Sequence, residues 1–213
     1  MILFTQHPDL DPKLTHEFMN KHLDVFEAAE LIALNNEQVV KSFSLDGEDF
    51  VIKRYLEKSP RAKLRSLLGI SRAMNSFKRS AQLSKLGIQT PAHLFLAQHH
   101  SILRGSSYLI MRHSKGTMLH SIIHTKPEAP IPNRVIANLA MMTNRLHAAG
   151  LSHGDLHAGN IFVLEDESIE VIDLDNVRPN RKKQKWDRAR LLRSFKSRPA
   201  LQEKLAHSIA PAS

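Results

Sequence analysis

The stretch that decides the fold is His153-Gly154-Asp155-Leu156-His157-Ala158-Gly159-Asn160, followed after a short gap by Val171-Ile172-Asp173-Leu174-Asp175-Asn176. Between them, the apolar runs 160–164 and 169–174 flank the polar turn Glu165-Asp166-Glu167-Ser168, the pattern of a β-hairpin. Pairing Leu164 with Ile169 across that turn sets Asn160 opposite Asp173, and facing residues of such a ladder have Cβ atoms about 4.5–5.5 Å apart. An amide oxygen and a carboxylate at that spacing suit Mg²⁺, which takes a few protein oxygens and leaves its other positions to water and phosphate. Asp155 lies five residues before Asn160, on the loop entering the hairpin, and can reach over the same point.

Upstream of this motif, residues 133–149 read as a long helix. Asn133 is its N-cap, Ile136, Leu139, Thr143 and Leu146 form its apolar stripe, and Gly150 closes it. Before it, Lys115-Gly116-Thr117 opens a short helix and Pro127, Pro130 and Pro132 mark a loop. The first half of the chain is sheet-like. Gln38 to Leu45 and Glu48 to Tyr55 flank Asp46-Gly47, a strong hairpin signal that pairs Leu45 with Glu48, Phe43 with Phe50 and Val40 with Lys53. Lys53 then shares a strand face with Val51. A basic linker, 58–71, leads to a helix over 72–86 that Gly87 and Thr90-Pro91 end. The runs 94–97 and 108–111 read as buried strands, and residues 1–21 as an irregular or helical lead-in, with strand-like character from Phe26. The tail from Arg178 is basic and helical in tendency. This order predicts an α+β plan in two lobes: 1–111, with the lead-in to about residue 25, and 112–213.

Composition narrows the function classes. The 213 residues contain no cysteine, which excludes disulfide frameworks and zinc knuckles, and 42% hydrophobic residues exclude wholesale disorder. The N-terminus lacks the basic-then-apolar pattern of a signal peptide, and no apolar run reaches membrane-spanning length. These features predict a cytoplasmic protein. The charge of +9 is unevenly placed: no acidic residue stands between Lys58 and Pro127, and a second basic run from Arg178 to Arg198 is opposed by Asp187 alone. That asymmetry points to an anionic partner. His120 and His124, four apart, have Ser121 where a zinc protease needs Glu, so they read as surface residues, as does His99-His100.

With the loop H-G-D-L-H-A-G-N, the I-D-L-D around Asp173 and the V-I-K-R-Y around Lys53, the chain resembles the protein-kinase-like superfamily. The L-S-K-L-G-I-Q-T-P-A run ending at Ala92 and D-R-A-R-L-L-R-S from Asp187 extend the likeness to the bacterial lipopolysaccharide kinases that phosphorylate Kdo or heptose of the inner core. The resemblance covers about residues 38–196. It implies a protein-kinase-like fold and transfer of phosphate from ATP with Mg²⁺ to a sugar hydroxyl. Asp155 would be the catalytic base and Asn160 and Asp173 the Mg²⁺ ligands. Lys53 would hold the nucleotide phosphates, with Val51 and the backbone around Met111 at the adenine, and His153 would brace the loop. The implied partner is the lipopolysaccharide core, with peripheral contact to an anionic membrane surface; nucleic acid ranks behind it.

Two family features are absent. The helix 72–86 carries no acid to pair with Lys53, with Ser76 or Phe77 standing near that place, so Lys53 would pair with Glu57 or a lead-in carboxylate, or chiefly with phosphate and Asp173. Leu34-Asn35-Asn36-Glu37 replaces a glycine-rich phosphate loop. Two other readings therefore stand beside the sugar kinase: a small protein or RNA-associated kinase, and a pseudokinase that only binds.

Overall fold

The computed structural model describes residues 2–68, 70–99, 105–125 and 130–210, which mix helix and sheet. They form two units, Met1–Lys78 with Pro91–His113, and Arg79–Thr90 with Ser114–Ser213; His100 and Pro127 lie outside the described residues.

In the first unit the elements are β1 (Ile2–Gln6), α1 (Pro12–Ala28), β2 (Glu30–Leu34), β3 (Gln38–Leu45), β4 (Glu48–Glu57), α2 (Pro60–Leu67), the first part of α3 (Arg72–Lys85), β5 (His93–His99) and β6 (Gly105–Arg112). The strands make one six-stranded antiparallel sheet in the order β1-β5-β6-β4-β3-β2. The Asp46-Gly47 turn sets β3 on β4 in the expected register: Leu45 faces Glu48, Phe43 faces Phe50 and Val40 faces Lys53. Both central residues have positive φ, 51° and 79°, which an Asp-Gly pair accepts with little strain.

The lead-in is more ordered than its sequence suggested. Asp11 caps α1 by accepting from the Lys13 amide at 2.7 Å, Pro12 fits the first turn, and the helix runs past Phe26 instead of giving way to strand. Phe18, His22 and Phe26 recur every fourth residue and bury against Phe50, Phe95 and Tyr108 on one face of the sheet. The expected linker contains α2, started by Ser59, whose hydroxyl accepts from the Ala62 amide at 3.1 Å. Ala73, Met74 and Phe77 of α3 cover the other sheet face, where Tyr55, Leu109 and Met111 point. Strand alternation puts Val51 and Lys53 on that same face.

The second unit holds the rest of α3, β7 (Thr117–Met118), α4 (Leu119–Thr125), α5 (Asn133–Ala148), β8 (Leu151–Ser152), β9 (Ile161–Val163), β10 (Ile169–Val171), β11 (Arg178–Pro179), α6 (Arg181–Arg193) and α7 (Pro199–Ser208). Its core joins the α5 stripe, Ile136, Leu139 and Leu146, to Leu156, Ile161, Val171, Leu174, Leu191 and Phe195. Asn133 is the first helical residue of α5, with Pro132 at the cap, and Gly150 beyond its end has φ +73°. Lys115-Gly116-Thr117 leads into β7 before α4 begins, so the short helix starts two residues after Thr117.

The register of the second hairpin differs from expectation by one residue. Val163, not Leu164, faces Ile169, and Ile161 faces Val171. Glu167 adopts φ +64° and its amide returns to the Leu164 carbonyl at 3.0 Å, so Leu164 belongs to the turn. Asn160 is therefore opposite Ile172, whose amide donates to its carbonyl at 3.0 Å. Asp173 stands one step beyond the ladder.

Candidate active site

Residues 153–160 are held in place mainly through their backbone. β8 pairs with β11, Ser152 facing Arg178, and delivers the chain into the loop. Asp187 of α6, 2% exposed, then accepts from two successive amides: His153 N–H at 2.6 Å and Gly154 N–H at 2.9 Å. Charge-assisted bonds from two neighbouring amides to one carboxylate fix both the position and the direction of the chain. His147 of α5 lies 3.6 Å from the same carboxylate.

Gly154 is required here by conformation and by space. Its φ is +84°, and a Cβ built on it would lie 3.0 Å from Asn176 Cβ and 3.2 Å from the Asn176 carbonyl oxygen. A side chain at this position would be strained by the positive φ and would press on Asn176, which would have to give by a few tenths of an ångström.

His153 is fully buried. Its Nε2 bonds the Ile172 carbonyl at 3.0 Å, tying the loop to the residue before Asp173. Burial holds this imidazole below its ordinary pKa, against the opposing charges of Asp187, Asp173 and Asp155. It is a neutral brace.

Downstream, His157 caps a short 3₁₀ turn, 158–160, by accepting from the Gly159 amide at 3.0 Å, and Ser194 accepts from the Ala158 amide at 3.1 Å. The Asn160 side-chain amide donates to the Asp155 carbonyl at 2.9 Å, which leaves its Oδ1 as the outward acceptor. Asp173 sits in the left-handed region at φ 61°, ψ 56°, where aspartate is one of the few non-glycine residues tolerated, and so turns out of the line of β10. Asp155, Asn160 and Asp173 are thus joined in one unit by the chain itself: the Asn160 side chain bonds Asp155, and Asn160 faces the residue before Asp173. They come together through a 3₁₀ turn and a left-handed residue, not through the opposed strand pair that the sequence suggested. Among the described residues no three His, Cys, Asp or Glu side chains enclose a metal by themselves. An amide oxygen and a carboxylate fit a cation that shares its remaining positions with phosphate and water.

Asp155 Oδ1 has two cationic or ionisable neighbours. The Arg190 guanidinium of α6 is 2.8 Å away and His157 Nε2 3.6 Å. Both Asp187 and Arg190 escaped the sequence reading. Both stand in D-R-A-R-L-L-R-S, and Asp187 is also the single acid in a basic run, but neither signal said that the residue reaches the loop.

Val51, Lys53 and Met111 come together in the first unit. Val51 faces Met111 across β4 and β6, and Lys53, 8% exposed, faces Leu109. Leu109 to Met111 lie inside a strand paired on both sides, so side chains rather than free backbone are what these residues offer a ligand. Glu57 is not Lys53's carboxylate: it lies about 13 Å further along the strand and accepts from the Ser107 hydroxyl at 3.3 Å. Ser76, where an acid was missing, is buried and its hydroxyl bonds His93 Nε2 at 3.1 Å, while His93 Nδ1 bonds the Pro91 carbonyl at 2.9 Å. Burial, with the nearby Lys53 charge adding to it, pushes His93 down to about 4. A neutral Ser–His pair stands beside Lys53 in that position.

A cavity of about 770 Å³ lies within the second unit, lined by Lys183, Trp186, Arg190, Arg193 and Lys196 among others. His120 and His124 are exposed, as expected, and line it too, with their rings 4.4 Å apart. Among the described residues no helix is long and apolar enough to cross a membrane.

The profile of the lipopolysaccharide kinase (Kdo/WaaP) family matches residues 16–210. A solved structure described as WaaP in complex with acyl carrier protein superposes with a TM-score of 0.67 at 16% identity, covering 99% of this chain and 90% of that one, a likeness of fold. A probable bifunctional tRNA threonylcarbamoyladenosine biosynthesis protein of Methanosphaera stadtmanae is 26% identical over 125 residues, 58% of this chain. The match spans 22% of that relative's length.

Proposed function

The chain belongs to the lipopolysaccharide kinase (Kdo/WaaP) family, and on that premise we propose that it phosphorylates a sugar hydroxyl of the lipopolysaccharide inner core, Kdo or heptose, at the cytoplasmic face of the membrane. Family membership carries kinase-type phosphotransfer with ATP as donor. The acceptor and the residue roles are our reading. The observation that carries it is the loop 153–160, whose amides Asp187 fixes while Asn160 is bonded to Asp155.

Mg-ATP, when bound, supplies the phosphoryl group and the positive charge that offsets its oxygens. Asn160 Oδ1 and the Asp173 carboxylate would hold the metal. Lys53 holds phosphate oxygens, and Val51 and Met111 wall the base. Asp155 orients the acceptor hydroxyl and takes its proton as the new O–P bond forms and the bond from the γ-phosphorus to the β,γ-bridging oxygen breaks, ADP leaving. Such a site works chiefly by positioning and by neutralising charge, which suits a loop fixed through its backbone.

Incubation with labelled Mg-ATP and purified rough lipopolysaccharide, protein or tRNA tests the reading. We expect label in the glycolipid, and an Asp155→Asn variant that still binds nucleotide but transfers none. Label in protein or tRNA alone would defeat it. The second of those outcomes has one point in its favour, the likeness to a tRNA-modification protein; it would also require affinity that falls steeply with salt. Nucleotide binding without turnover on any acceptor would favour a pseudokinase.

A further inference from the structure

The 770 Å³ cavity carries more than the phosphotransfer reading uses. Its acidic lining residue is Asp187, buried and committed to the loop amides. Against it stand Lys183, Arg190, Arg193 and Lys196. Lys183, Arg193 and Lys196 have no acidic side chain within ion-pair distance among the described residues. Trp186, 64% exposed, presents an indole to the same space. A large aromatic ring left in water beside unpaired cations is a departure from ordinary surface composition, and a flat ring flanked by cations fits a saccharide bearing an anionic group.

Arg190 is the residue that links this cavity to Asp155. It lines the cavity, its side chain is half exposed, and its guanidinium is 2.8 Å from Asp155 Oδ1. Asp187 and Arg190 are three apart on α6 and so share a face: one fixes the loop's backbone while the other covers its carboxylate.

We propose that Arg190 senses the acceptor: it covers Asp155 in the unloaded protein and is drawn off the carboxylate by an anionic group, phosphate or carboxylate, on a saccharide held by Trp186, Arg193 and Lys196. The proposal rests on Asp155 being the base. A phosphate carries more charge than Asp155 does, and either anion can take the guanidinium's forked donors, so exchange of partners is favoured once the saccharide is seated. His157, still 3.6 Å from Oδ1, keeps the carboxylate oriented after Arg190 leaves. The exchange ties release of the base to arrival of the right acceptor and leaves water without a base in the empty site.

The test uses the full chain and its R190Q variant with three acceptors: deacylated lipopolysaccharide core, the same core dephosphorylated, and the same core with its carboxylates reduced. Steady-state kinetics with Mg-ATP and acceptor-free ATP hydrolysis are measured. Trp186 is the chain's single tryptophan, so its emission reports filling of the cavity without nucleotide. For the parent, removing the recognised anion raises KM about tenfold, the worth of one charge-assisted contact, and the two modified cores show which anion it is. For R190Q, KM for the intact core rises to the same level and no longer responds to the modification, while acceptor-free hydrolysis increases severalfold. An equal loss of kcat on all three cores, with KM unchanged, would overturn the proposal by making Arg190 only a support for Asp155. Parent-like behaviour of R190Q would overturn it too. Turnover on a core whose anions make no difference would sink the sensor and leave the kinase; a Trp186 response without turnover on any core would sink the kinase reading and with it the role given to Asp155.

Discussion

Asp187→Asn isolates what holds the loop, because Asp187 is buried at the cavity wall with its carboxylate committed to two backbone amides. The carboxylate accepts from His153 N–H at 2.6 Å and from Gly154 N–H at 2.9 Å. The isosteric amide keeps one acceptor oxygen and turns an NH₂ towards the other amide. One bond to a charged acceptor is lost, worth about 1.5–3 kcal/mol, and a buried N–H is left facing a donor, a further ~1–3 kcal/mol. Removing a buried charge recovers part of this by sparing its desolvation. The expected cost is about 3 kcal/mol, well inside the ~5–15 kcal/mol that usually separates folded from unfolded chains. The variant should therefore fold and show a lower urea midpoint with an unchanged slope. The loop it leaves behind is less fixed, and a displacement of about 1 Å in a positioning site costs on the order of 100-fold in rate. We expect that loss in kcat, with KM for ATP nearly unchanged, read by phosphotransfer assay beside circular dichroism during urea unfolding. A variant within about 1 kcal/mol of the parent and with its turnover intact would refute the idea that Asp187 sets the loop.

Further outcomes follow from the same geometry. His93 titrates near 4 when folded against an ordinary 6.5, so the unfolded chain binds the proton first. Its contribution is present above pH about 6.5 and is lost as pH falls towards 4, about 3 kcal/mol in all, with His153 acting in the same direction. In chemical denaturation between pH 7.5 and 4.5, His93→Gln should flatten this slope; an unchanged slope would remove His93 as its source. Gly154→Ala forces an L-residue to φ +84° and a methyl group towards the Asn176 carbonyl, so it should lower stability by about 2 kcal/mol or more and depress kcat. An unaltered thermal midpoint would show that the loop can shift.

Local chemistry was legible in the sequence where a short segment decides its own shape. Asp46-Gly47 fixed the register of β3 on β4 because a two-residue turn leaves no alternative, and the α5 stripe was plain because helical spacing is strict. The second hairpin was misread by one residue because nothing in Glu165-Asp166-Glu167-Ser168 announces that Glu167 takes a left-handed conformation. Asn160 still faces the residue before Asp173, by a different local route. The Asp187 clamp and the Ser76–His93 pair join residues far apart in the chain, and a single sequence holds no register for such contacts. The lead-in was legible in part: Phe18, His22 and Phe26 have helical spacing, but which sheet face they cover is decided by tertiary packing.

The Asp187 clamp also has a consequence for the newborn chain. The carboxylate that sets the loop is translated 34 residues after His153, an interval of about 2–7 s at ~5–20 residues per second. From the synthesis of Asp173 until that of Asp187, a ribosome-bound chain holds every signature residue of the candidate site with two of its amides waiting for an acceptor not yet made. A transcript interrupted just before α6 would encode the whole motif and yield an unset loop. The loop is therefore set only when α6 has left the ribosome and docked.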